Sequence, residues 1–197
     1  EDVHANTWGR VVIAGSMLSV GDFDEAGVLL EEAAAAAERA TDRRLWRGAT
    51  ELLGAIEASR GQWDLARARI MTLLASADHD RDRRGRISAL RELALFSLQL
   101  RAFDDAARWA EALADEVRRG GVEVEEVATL VDLHTIRATV ALEGGDAVAA
   151  LTAAGEALEY LRRHKLSFPF YYWTMFRLAR VFLASWSAAD GAAGKNA

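Results

Sequence analysis

Gly21-Asp22-Phe23-Asp24-Glu25-Ala26 returns in altered form as Gly61-Gln62-Trp63-Asp64-Leu65-Ala66, Arg101-Ala102-Phe103-Asp104-Asp105-Ala106 and Gly145-Asp146-Ala147-Val148-Ala149-Ala150. The copies start 40, 40 and 44 residues apart. A fixed period of this size marks stacked supersecondary units, none of which buries its apolar face alone. Taking the first residue of each copy as reference, the residue seven earlier is Ala14, Gly54, Ala94 or Ala138, always small. The residue five later is Ala26, Ala66, Ala106 or Ala150. Two later come Phe23, Trp63, Phe103 and then Ala147. Small residues at matched places on two helices let the pair approach closely, and an aromatic ring fills the gap beside the turn.

Working outward, apolar residues recur with helical period, strand-like alternation is scarce, and Pro169 is the only proline. The expected fold is all-α, a right-handed superhelical solenoid of antiparallel helix pairs, with four repeats and a C-terminal capping helix. The expected helices are 7–20 and 23–40, 43–60 and 63–78, 84–100 and 103–120, and 125–143 and 146–164. A last helix follows over 169–187. The whole of 1–197 is read as a single repeat domain, with repeats at 7–40, 43–78, 84–120 and 125–164. Acids open the second helices (Asp24, Glu25, Asp64, Asp104, Asp105, Asp146) and arginines lie near the far ends (Arg39, Arg43, Arg118, Arg119, Arg162, Arg163), as the helix dipole prefers. Asp22 with Glu25 predicts a capping box, and Gly120-Gly121 a left-handed stop. The very polar run His79–Arg86 reads as a solvated connector whose aspartates partly cancel its arginines.

Composition narrows the function. Hydrophobic residues make up 51% of the chain and charged residues 27%, enough apolar material for a core. A net charge of −6 disfavours direct nucleic-acid binding and adsorption to anionic membranes, which need positive surface. Phe168–Trp186 is apolar enough to suggest a span, but Arg177 and Arg180 fall inside it. Each would cost about 2.5–3.5 kcal/mol at a bilayer centre. There is no cysteine, so no disulfide framework and no thiolate metal site. Twenty-two arginines against two lysines, with heavy alanine use, suggest a GC-rich bacterial source; the expected location is the cytoplasm. The start at Glu1 suggests a fragment.

No Gly-rich phosphate loop, His-Glu-x-x-His or G-x-S-x-G elbow occurs. Adjacent acids such as Glu31-Glu32 point about 100° apart on a helix and do not form an acid–base pair. The chain is therefore expected to be neither an enzyme nor a metal or cofactor protein.

The pattern Leu53-Gly54, Trp63, Ala66 and Ile70 resembles the tetratricopeptide repeat, whose first helix carries Leu-Gly and whose second carries Ala-x-x-x-Phe. Ile13-Ala14 and Leu93-Ala94 follow it; Arg137-Ala138 departs at its first position. The longer, proline-poor period resembles repeats of large bacterial transcriptional activators of the maltose-regulator and LuxR type. That resemblance implies a protein- or peptide-binding scaffold or sensor segment of a larger regulator. A small-molecule effector site is the first alternative. Carried over by register, it also implies a groove wall at Trp8, Val11, Glu51, Ala55, Arg91, Leu95, Thr135 and Thr139, with His134 nearby. With Arg91 the one suitable base on that wall, a partner gripped by its terminal carboxylate is disfavoured.

Eight of sixteen aromatic residues lie between Phe168 and Trp186. On a helical wheel Tyr172, Phe176, Ala179, Leu183 and Trp186 share one stripe. Tyr171, Met175, Leu178 and Phe182 share another. One stripe covers repeat four, and the other is left for a homodimer or for docking within a longer chain. The interface candidates are Tyr171, Tyr172, Trp173, Phe176, Phe182 and Trp186.

Overall fold

The computed structural model describes residues 3–120, 126–164 and 176–185, and every element among them is an α-helix. In chain order these are α1 (Val3–Val20), α2 (Phe23–Arg39), α3 (Arg43–Ser59), α4 (Trp63–Asp80), α5 (Arg83–Gln99), α6 (Phe103–Gly120), α7 (Glu126–Glu143) and α8 (Ala147–His164). A further helix, α9, covers 176–185. Helix contacts run between neighbours in sequence: α1 with α2, α2 with α3, α3 with α4, α6 with α7 and α7 with α8. This is an all-α helical-repeat fold. By contact the chain divides within α5 into two compact units, Glu1–Glu92 and Leu93–Ala197. Among the described residues no helix is long and apolar enough to cross a membrane.

The matched small residues meet their packing role. Ala26, Ala66, Ala106 and Ala150 are all 0% exposed, as are Ala14, Ala94 and Ala138, and Gly54 is buried. From each of the four alanines the buried positions continue four and seven residues on: Leu30 and Ala33, Ile70 and Leu73, Ala110 and Leu113, Ala154 and Ala157. That spacing is one helical stripe. In the first unit the stripe of α2 packs with Val11, Ala14, Ala49, Leu53 and Ile56 from the flanking helices. In the second, the alanine stripe of α8 packs with Ala138, Leu178 and Val181, which joins α9 to α7 and α8. Gly54 is glycine for a local reason. A Cβ there would lie 3.0 Å from Cδ1 of Ile70, whose bulky side chain is itself fully buried.

One turn recurs six times among the described residues. Gly21, Thr41, Gly61, Arg81, Arg101 and Gly145 all have positive φ, between 53° and 87°. In each case the next residue's N–H donates to the carbonyl five residues back, at 2.8–3.0 Å, as Asp22 does to Met17 and Asp146 to Ala141. This is the Schellman motif, which satisfies carbonyls left over at a helix end. The His79–Arg86 run is therefore no extended connector. His79 and Asp80 close α4, Arg81-Asp82 make the turn, and α5 starts at Arg83. Arg47 on α3 reaches Asp80 and Asp82 at 3.0 and 2.5 Å, which pins the segment. The capping box expected at Asp22 does not form, since its side chain caps nothing. Asp42 caps instead, accepting from Leu45 N–H at 3.1 Å, and Asp146 accepts from Ala149 N–H at 2.9 Å. The Gly120-Gly121 stop lies at the edge of the described residues.

Candidate functional site

The proposed wall residues fall into three environments. Val11 and Thr135 lie inside the packed core, and Thr139 is buried too. The hydroxyls of Thr135 and Thr139 donate to the helix carbonyls of Val131 and Thr135, four residues back. A register argument counts residues but not neighbours, and Val11 packs in the core shared with α2 and α3. Glu51 and Arg91, placed on α3 and α5, are brought together at 3.2 Å; Ser88 also donates to Glu51 at 2.7 Å. Arg91 also pairs with Glu92 at 3.0 Å, so two carboxylates share the one base of the wall. Ala55 and Leu95 are half-buried. Trp8 is 51% exposed, and with Val12 one turn on it gives α1 a small outward apolar surface.

His134 sits on the packed side of α7. Its Nδ1 lies 2.8 Å from Glu156, and its ring stacks on Tyr160 with centroids 5.5 Å apart. Burial holds its pKa below the ordinary histidine value, aided by Arg137, while Glu156 opposes. Among the described residues no three His, Asp or Glu side chains gather as metal ligands.

Tyr171, Tyr172, Trp173 and Trp186 lie outside the described residues. Of the two stripes on α9, Leu178 is buried and Phe182 packs on the α7–α8 core. Phe176 is 66% exposed, and Ala179 and Leu183 are exposed as well.

The polar pocket in the second unit was missed from sequence. It has a volume of about 270 Å³, and its lining includes Arg101, Phe103, Glu143, Phe176, Arg177 and Arg180. Thr139, named for the groove wall, contributes to it as well. Glu143 at the end of α7 is shared by Arg101, at 3.2 Å, and Arg180. The Arg101 guanidinium lies over the Phe103 ring, 5.5 Å from its centroid. Arg177 is half-buried; desolvation and then Arg180 lower its pKa, and Asp132 counters them. The available signal was Arg101 standing where three other copies carry glycine. Its partners on α7 and α9 are 42 residues or more away in sequence, beyond any local pattern.

No family model matches this chain, and no curated protein matches it. Among solved structures it is similar to BtubC (BKLC) from P. vanneervenii, with a TM-score of 0.71 at 22% identity. The match covers 93% of this chain and 74% of that one. The likeness supports the helical-repeat fold. At that identity it carries nothing about ligand or partner.

Proposed function

We propose that this chain is a non-catalytic interaction module of tetratricopeptide type that holds an apolar segment of a partner protein. On this reading it is the scaffold or sensor part of a larger bacterial, cytoplasmic regulator of the maltose-regulator and LuxR type. The observation that carries the proposal is the pair Trp8 and Val12, one turn apart on α1 and each about half exposed. Exposed apolar side chains grouped on a rigid helix, outside the packing stripe, favour a protein contact.

The test is a thermal-shift and titration screen of the full chain against apolar peptides and a panel of sugars and nucleotides. Peptide binding that falls about tenfold in Trp8→Ala, with helicity unchanged, is the expected result. A response confined to sugars or nucleotides, or peptide binding indifferent to Trp8, would remove the proposal.

A further inference from the structure

Repeat turns of the helix pairs carry glycine at three of four copies, with φ of 87°, 76° and 80° at Gly21, Gly61 and Gly145. The third copy carries Arg101 at φ 58°. A long L side chain in the left-handed region is strained relative to glycine. Here its guanidinium makes contacts that glycine cannot, lying over Phe103 and pairing with Glu143.

The charge of the pocket is unbalanced. Among the described residues three guanidiniums, Arg101, Arg177 and Arg180, line it against one carboxylate, that of Glu143. Glu143 is already shared by Arg101 and Arg180. Arg177 makes no salt bridge among the described residues, and Asp132 acts on it electrostatically from α7 without lining the cavity. A half-buried guanidinium is costly to leave without a hydrogen-bonding anion, and its planar fork matches a carboxylate. The Phe103 and Phe176 rings supply apolar surface on the same cavity. A volume of about 270 Å³ lies just under the range of about 300–1,000 Å³ for pockets of drug-sized ligands. It therefore suits one small acid or one residue of a chain.

The geometry points to a binding site for a carboxylate attached to an apolar, ring-sized group. Arg177 and Arg180 hold the carboxylate, and Phe103 and Phe176 flank the carbon body. Two sources share this chemistry: a free arylalkanoic acid, or the C-terminal residue of a peptide. The site lies within the second unit, and its argument does not depend on the reading of α1.

The test is titration of the full chain at low salt with four probes. They are 3-phenylpropionate, a tripeptide ending in phenylalanine with a free carboxylate, the amide of that tripeptide, and inorganic phosphate. At least one carboxylate probe should saturate with a Kd below about 1 mM. The amide should bind about tenfold more weakly, and added salt should weaken the carboxylate probe. Whichever carboxylate binds tighter identifies the source, and a preference for the free acid would make this a small-effector site.

Arg177→Met and Arg101→Gly should each lower affinity about tenfold. Arg101→Gly separates binding from folding, because glycine fits that turn and the melting temperature should not fall. No saturation by either carboxylate, equal binding of amide or phosphate, or undiminished affinity in both variants would overturn the site.

Discussion

At the scale of single residues, the fold rests on positions with no room for a larger side chain. Ala106 is fully buried in α6, at the place held by Ala26, Ala66 and Ala150 in the other copies. Adding two methyl groups there must push helices apart or force strained rotamers, at a cost of about 1–3 kcal/mol. Ala106→Val should therefore lower the melting temperature by about 2–4 °C for each kcal/mol lost. Thermal unfolding followed by circular dichroism checks this; an unchanged midpoint would mean the site is slack. Such positions were legible because the same small residue recurs at the same offset four times. The wall residues were harder, because Val11 and Thr135 were placed by register from the family resemblance, and register does not say what packs over them.

At the scale of the element, helix ends differ in how they are held. The Asp42 carboxylate accepts from Leu45 N–H, and that bond is the main reason its pKa lies below the ordinary aspartate value. His4, 2.8 Å away, adds to the effect, and burial opposes it. Asp22, at the corresponding place before α2, makes no such bond. Asp42→Ala should thus cost about 1 kcal/mol at neutral pH, and Asp22→Ala less than about 0.5 kcal/mol. A carboxyl whose folded pKa is depressed stabilises the protein above its unfolded pKa, about 3.9. That contribution disappears as pH falls through the lower, folded value. The gap between the original protein and Asp42→Ala, measured by denaturant unfolding, should close only below about pH 4. A gap independent of pH would show that the carboxylate is not the cap.

Helices α1 to α8 were read within a few residues from their periodicity. What the sequence hid was the turn. Thr41 and Arg81 adopt a conformation expected of glycine, and the clue was aspartate recurring after the turn at Asp22, Asp42 and Asp82. The arginine pocket was hidden for another reason: its charges come from a turn, a helix end and α9, and only folding brings them together.

At the scale of the whole molecule, stabilising contacts link each helix mainly to its sequence neighbours, and each compact unit has its own buried cluster. In such a repeat array, stability is close to a sum of unit and nearest-neighbour terms, so damage stays local. Ala26 offers a severe and well-placed test, because it is fully buried where α2 meets its neighbours. Ala26→Asp puts an unpaired carboxylate there, at a cost of about 3–5 kcal/mol. Rather than unfold everything at once, the substitution should raise amide hydrogen exchange in α1, α2 and α3. Protection in α7 and α8 should stay close to that of the original protein, since their cluster of Ala138, Ala150, Ala154 and Ala157 shares no residue with the damaged one. Hydrogen exchange read by mass spectrometry resolves the two regions directly. A uniform loss of protection along the chain would mean that the whole array unfolds as one cooperative block, and the nearest-neighbour account of its stability would fail.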